Sequence, residues 1–263
     1  EDGSVDIDVT AELTGGPADV LTVTIAGFDT TWTVDTTTSG GTYDAVTGTW
    51  TITLPAGQNF SGGPTVSPPA DSDIDMTGLV VTASEYDPQS QTSSEATADF
   101  DIITDAVIDD PTLTANNSAG DEDNPIDLDI TTAVGESADG SEEITNIVIS
   151  GVPAGATLNN GTDLGGGQWQ LTTADLTGLQ LNPPLDFSGT INLTVSVTST
   201  EVNLSGDEFD YTDNQTTVDA PLTVTVNPVA DEPKLQVEDV WVKEDGSVAL
   251  NITAEPGDTD GSE

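Results

Sequence analysis

The chain has 263 residues, with 2 Lys+Arg against 48 Asp+Glu, no His and no Cys. Without cysteine there are no disulfides, thiol nucleophiles or thiolate metal sites, and without histidine the commonest general base is missing. Lys234 and Lys243 are the only cations against a formal charge of -46, which excludes a basic nucleic-acid-binding face and repels an anionic membrane surface; no apolar run approaches the roughly 18 residues of a membrane span.

Hydrophobic residues make up 34% of the chain, low for a globular protein. They are gathered, however, in short Val-, Ile-, Leu- and Trp-containing runs that alternate with polar residues. The charge works against any compact state. Bound divalent cations or a high-salt habitat must neutralise it.

In chain order, Leu21–Ile25, Thr49–Leu54 and Leu79–Tyr86 are predicted strands. Equivalent runs follow at Ile144–Val152, Gln168–Thr172, Thr190–Ser199 and Pro221–Val226. Gly, Pro, Asn and Asp separate them as turns, and no helix-length stretch carries a 3.6-residue period.

The order of these elements repeats. Glu1-Asp2-Gly3-Ser4-Val5 recurs as Glu122-Asp123-Asn124-Pro125-Ile126 and again as Glu244-Asp245-Gly246-Ser247-Val248, steps of 121 and 122 residues. Trp50 matches Trp169, Pro68-Pro69 matches Pro183-Pro184, Glu85 matches Glu201, and Asp110-Pro111 matches Glu232-Pro233. Self-similarity at a fixed period signals an array. The acidic-Pro pairs set the boundaries. Residues 1–110 are a first repeat whose opening strand would precede Glu1, 111–232 a complete second repeat, and 233–263 the beginning of a third. Starting without Met or a signal peptide, the chain reads as an internal piece of a longer protein. The expected fold is all-β: tandem immunoglobulin/cadherin-like Greek-key β-sandwiches in an elongated array, with Trp50 and Trp169 as core residues.

Repeat 2 holds Ala138-Asp139-Gly140-Ser141-Glu142, Ile147 to Leu158 (IVISGVPAGATL), Gln168-Trp169-Gln170-Leu171, Leu176 to Pro184 (LTGLQLNPP), Asp186-Phe187-Ser188-Gly189-Thr190 and Val224 to Asp231 (VTVNPVAD). This resembles the cadherin-like tandem repeats of giant bacterial RTX-type surface adhesins. Repeat 1 follows the pattern less closely, with Ala11 to Val20 (AELTGGPADV) in place of the Asp-Gly-Ser-Glu turn. The resemblance implies secretion to the cell surface, calcium-dependent rigidity, and a part in holding an adhesive tip away from the cell during adhesion and biofilm formation.

Calcium takes six to eight oxygens, mostly carboxylate and carbonyl. Each junction between repeats offers them from three places. The linkers supply Asp109 and Asp110, then Asp231 and Glu232. The Asp-rich turn of the following repeat supplies Asp139 and Glu142, then Asp258, Asp260 and Glu263. By the resemblance, the preceding repeat adds Glu1, Asp2 and Glu85 at the first junction, and Glu122, Asp123 and Glu201 at the second. Asp6, Asp8, Asp127 and Asp129 alternate along strands and are expected to face solvent. The acids recur with the structural repeat and no aromatic-lined cleft accompanies them, so the chain is not read as an enzyme. The expected partners are neighbouring repeats of the same polypeptide, with no nucleic acid and no membrane insertion. Two alternatives stay open: a ligand-binding module gripping carbohydrate or protein through loops such as 36–42 or 201–214, and a subunit of a self-assembling filament. In the second, residues 233–243 of one copy would fill the empty first-strand position of another.

Overall fold

The computed structural model describes residues 3–135, 140–202, 212 and 214–257. It divides into two units. Unit 1 gathers the described residues up to Asp109 with those within 136–143 and 200–215; unit 2 gathers those of 110–135, 144–199 and 216–257. Among the described residues there is no α-helix, only strands and one 3-10 turn, so no helix is long and apolar enough to cross a membrane.

Unit 1 contains β1 (Val5–Asp6), β2 (Val9–Ala11), β3 (Val20–Ala26), β4 (Thr33–Asp35), β5 (Thr42–Asp44), β6 (Thr49–Thr53), β7 (Phe60–Gly62), β8 (Thr65–Ser67), β9 (Met76–Asp87) and β10 (Thr92–Ile102). One sheet runs β10-β9-β3-β6-β5; facing it are β1-β8-β4 and the pair β2-β7. Strand β3 shows why this sequence makes a sandwich. Leu21, Val23 and Ile25 are buried and the residues between them are not, the period-2 signature of a strand with one face on a core. Their side chains meet Ile7, Phe60 and Val66 from the other layer. Trp50 is fully buried at the centre, and its indole N–H donates to the Gly40 carbonyl at 3.0 Å, as a buried indole requires.

Unit 2 contains β11 (Thr112–Asn116), β12 (Ser118–Asp121), β13 (Ile126–Asp127), β14 (Asp129–Ala133), β15 (Glu142–Ser150), β16 (Thr157–Leu158), β17 (Thr162–Gly165), β18 (Gln168–Leu171), β19 (Gln180–Asn182), β20 (Gly189–Glu201), β21 (Gln215–Asn227), β22 (Lys234–Val237) and β23 (Ile252–Glu255), except that the first two residues of β15, the last two of β20 and the first of β21 fall in unit 1. Its main sheet runs β12-β21-β20-β15-β18-β17, opposed by β13-β19-β16 and β11-β14. The segment 112–121 thus serves both layers: β11 pairs antiparallel with β14, then β12 crosses to pair parallel with β21. The core comes from Ile147, Ile149, Leu181, Val195, Val197, Leu222 and Val224. Strands β22 and β23 pair with each other, and both are exposed along their length.

Two equivalent positions of the sequence repeat share one backbone conformation. Gly48 and Gly167 each stand two residues before a repeat tryptophan, with φ 60° and 78°. A Cβ on Gly48 would come 2.3 Å from the Phe28 carbonyl oxygen, and one on Gly167 would come 2.5 Å from that of Val152. Both positions therefore require glycine. The two tryptophans differ in depth: Trp50 is a true core residue, whereas Trp169 is only half-buried and packs at the core's edge. Strand β10 is an element the hydrophobic pattern does not reveal. Its first eight residues are all exposed, and it is held by continuous pairing to β9.

Candidate metal centre

Unit 2 brings three carboxylates together where the β12–β13 turn, the loop after Pro183-Pro184 and the segment following β21 converge. Asp123, Asp186 and Asp231 each present an oxygen, and the three oxygens lie within 4.8 Å of one another. Asp123 occupies the turn in a left-handed conformation, φ 58°, which Asp tolerates better than most residues. Its Oδ1 accepts the Asp186 backbone N–H at 3.0 Å. Asp186 is itself left-handed, φ 52°, placed by the tight turn in which Phe187 N–H donates to the Pro184 carbonyl at 3.2 Å.

Glu122 pins this arrangement from below. It is buried, its backbone N–H donates to the Asn227 carbonyl at 3.0 Å, and its Oε1 accepts the Val229 N–H at 2.5 Å. Asn124 Nδ2 adds a bond to the Glu122 carbonyl at 2.9 Å. The linker end is packed too: a Cβ on Gly257 would lie 2.7 Å from the Asp231 Cβ and 2.7 Å from the Glu232 carbonyl oxygen. Three like charges at this spacing repel one another. A donor set of carboxylate oxygens without nitrogen or sulfur suits a hard divalent cation, so the residues present fit calcium.

A second group of acids lies in unit 1. Asp109 donates its N–H to Glu142 Oε1 at 2.9 Å, Val202 N–H donates to the Ser141 carbonyl at 2.6 Å, and Glu201 N–H donates to the Asn214 carbonyl at 2.9 Å. Glu201, Ser141 and Asn214 are buried; Asp109 and Glu142 are half-buried. Asp110, in unit 2, accepts from the Thr216 hydroxyl at 2.6 Å.

These positions regroup the sequence-predicted acids. Glu201 was expected with Asp123 and Asp231, and Glu85 with Asp109. Instead Glu201 lies at the end of β20 where the next residue, Val202, bonds the Ser141 carbonyl beside Glu142. Glu85 sits at the far end of β9, accepting from Thr14 N–H at 3.1 Å, Thr14 Oγ1 at 2.8 Å and Gly15 N–H at 2.7 Å. The reason is strand direction. β9 and β20 are long antiparallel strands, and a residue at one end lies roughly 30 Å or more from the other at about 3.3 Å per residue. The Glu85 hydrogen bonds, chiefly that from the Thr14 hydroxyl, lower its pKa from the ordinary 4.5. Glu232 is exposed beside the Asp231 backbone. Glu1, Asp2, Asp139, Asp258, Asp260 and Glu263 lie outside the described residues.

Asp186 is the ligand candidate that sequence reasoning missed. Its signal was present: Pro68-Pro69-Ala70-Asp71 and Pro183-Pro184-Leu185-Asp186 repeat the same pattern, and Asp71 shares the left-handed conformation at φ 55°.

No protein-family model matches the chain, and no curated protein does. Among solved structures, cadherin-like domains 1 to 4 of zebrafish RET match over 84% of this chain and 52% of that one, at 11% identity and a TM-score of 0.21. The chain spans about half the length of that structure. At that score and identity the likeness says nothing of what this chain binds.

Proposed function

We propose that this chain is a calcium-stiffened spacer in a large extracellular bacterial surface adhesin, with its repeats holding an adhesive tip away from the cell. The observation that carries the reading is the convergence of Asp123, Asp186 and Asp231 from three separate segments, next to a linker between sequence repeats. With 48 acidic and 2 basic residues, the chain has few cations of its own to set against clustered carboxylates, and calcium would supply positive charge there. Asp123, Asp186 and Asp231 would hold the ion. Asp109, whose N–H donates to Glu142 Oε1, is the repeat counterpart of Asp231. In this reading the chain performs no catalysis. Its direct partners are neighbouring repeats of the same polypeptide, and the ion fixes one repeat against the next.

The test is a calcium titration of the full chain followed by thermal melting and small-angle scattering. Calcium at millimolar concentration should raise the melting temperature and convert a flexible particle into a stiff one; a chelator should reverse both. Identical melting and scattering in calcium and chelator at moderate ionic strength would overturn the proposal. Equal stabilisation by concentrated NaCl alone would replace it with adaptation to a salty habitat.

A further inference from the structure

The surroundings of the two repeat tryptophans can be aligned residue by residue. Phe28 N–H donates to the Gly48 carbonyl and Val152 N–H to the Gly167 carbonyl, both at 3.1 Å, so Val152 stands where Phe28 stands. Tyr43 faces Trp50 across β5 and β6, and Asp163 faces Trp169 across β17 and β18, so Asp163 stands where Tyr43 stands. In unit 1 the Phe28 and Tyr43 rings meet edge to face, with centroids 5.8 Å apart, and Trp50 is fully buried. Unit 2 has an aliphatic side chain and a carboxylate in place of those two rings. Beside its tryptophan lies a hollow of about 400 Å³, lined by Trp169, Asp163, Val152, Pro153 and the backbone of Gly165–Gly167.

We propose that this hollow binds one neutral pyranose residue of a glycan, with Trp169 as its platform and Asp163 as the acceptor for a sugar hydroxyl. The volume falls within the roughly 300–1,000 Å³ of small-molecule sites. The Trp50 indole N–H is satisfied by the Gly40 carbonyl, whereas among the described residues the Trp169 indole N–H meets no acceptor. Asp163 is exposed, and its Oδ1 accepts the Gly165 N–H at 2.7 Å. That bond fixes the carboxylate and leaves Oδ2 for a ligand. Residues directly opposite on paired strands share one face, with Cβ atoms about 4.5–5.5 Å apart, so the carboxylate and the indole address the same molecule. Gly165, Gly166 and Gly167 are all left-handed, φ 79°, 65° and 78°. A Cβ on Gly165 or Gly166 would meet nothing within 4 Å; the absent side chains keep this wall open.

The chemistry of the walls selects the ligand. An anion is repelled by Asp163 and by a chain at -46. A purely apolar molecule would strip water from the Asp163 carboxylate and return no hydrogen bond, which is costly. An organic cation would suit the indole face and the carboxylate, but it gives the indole N–H nothing to bond. A neutral pyranose satisfies all three groups. Its face of C–H groups lies on the indole, one hydroxyl donates to Asp163 Oδ2, and a second oxygen accepts from the Trp169 N–H. Indole rings carry this kind of load because they join a large apolar face to a polar handle.

The experiment is a nuclear magnetic resonance titration of the full chain in millimolar calcium. The probes are the methyl glycosides of glucose, galactose, mannose and N-acetylglucosamine, with tetramethylammonium as the competing cation. The indole N–H resonances of the 4 tryptophans are followed, that of Trp169 being assigned with Trp169→Phe. At least one glycoside should shift the Trp169 resonance saturably and leave that of Trp50 in place. Asp163→Ala should weaken this binding by at least about tenfold, the loss of one charge-assisted hydrogen bond. Asp163→Tyr, which restores the ring found in unit 1, should abolish it. Asp163 is exposed, so both variants should fold, with an unmoved Trp50 resonance as the check. No saturable shift with any glycoside up to its solubility would overturn the proposal. Asp163 would then be only an inward-pointing charge that keeps β17, the last strand of its sheet, from pairing with other chains. Undiminished glycoside binding in Asp163→Tyr would also overturn it, as would tighter binding of tetramethylammonium than of every glycoside.

Discussion

Asp71 and Asp186 hold the same left-handed backbone conformation, φ 55° and 52°, each two residues after a Pro-Pro pair in successive repeats. Aspartate is tolerated there, but it has no advantage over asparagine as a turn former. Asparagine at 186 should therefore preserve the turn. Removing one of three clustered charges should raise the melting temperature in chelator. It should also reduce the calcium-dependent increment, which for wild type is about 2.7 kcal/mol when free calcium is 100 times its dissociation constant. Melting curves of Asp186→Asn with and without calcium check both signs. A variant less stable in chelator, with an intact calcium increment, would remove Asp186 from the site.

Gly48 and Gly167 form the same turn in the two repeats, at φ 60° and 78°. Alanine at either position has to accept a left-handed backbone and push back a facing carbonyl. We expect each substitution to cost about 1–3 kcal/mol in urea denaturation. Gly178, with φ 68° and open space around its missing Cβ, should cost less on replacement because only the backbone term applies. Equal losses at all three would show that the carbonyl contacts at 48 and 167 are relieved by movement.

Much of the fold was legible because burial imposes a period. Strands β3, β15, β18, β20 and β21 bury alternate residues, and hydrophobic runs mark all five. Strand β10 left no such mark, since Thr92–Asp99 are exposed on both faces while their backbone pairs with β9. The carboxylate group was half legible. Asp123 and Asp231 follow from the repeat and the linker, but Asp186 approaches them through a loop, across 63 residues of sequence. The assignment of Glu85 and Glu201 to the wrong ends had a different cause. A repeat pattern gives a residue's position along the chain, while strand direction decides which end of the sandwich it reaches.

Trp50 and Trp169 occupy one repeat position in two environments, and mutation should separate them. Trp50 is fully buried, lies 5.7 Å from the Phe60 ring and donates to Gly40. Trp50→Ala should cost about 3–5 kcal/mol and Trp50→Phe less, though the latter leaves the Gly40 carbonyl with only the Ser39 hydroxyl, at 3.2 Å, as donor. Trp169 is half-buried between Gln168 and Gln170, which are exposed, so Trp169→Ala should cost less than half as much. Chemical denaturation of the two alanine variants decides the ranking; equal losses would mean Trp169 has a deeper packing role.

The acid limb of the stability curve should contain a measurable part from Glu85. Its carboxylate accepts from the Thr14 hydroxyl and from the Thr14 and Gly15 backbone N–H groups. These bonds favour the charged form and lower the folded pKa below the ordinary 4.5. A lowered folded pKa means that the unfolded chain binds the proton more readily. The stabilisation is thus complete above 4.5 and disappears as pH falls through the folded value. Glutamine at 85 retains one acceptor oxygen but turns an amide toward backbone donors. Glu85→Gln should therefore be less stable than wild type at neutral pH, and the gap should close below about pH 4.5 as wild type becomes protonated. Removing any one charge from a chain at -46 also relieves repulsion, which acts in the opposite direction. Glu95→Gln, on the exposed strand β10, measures that background and should be neutral or slightly stabilising. Urea midpoints of the three proteins from pH 3 to 7 separate the two contributions. A Glu85→Gln deficit that persists unchanged at pH 3 would show that the loop depends on the glutamate's shape rather than its charge.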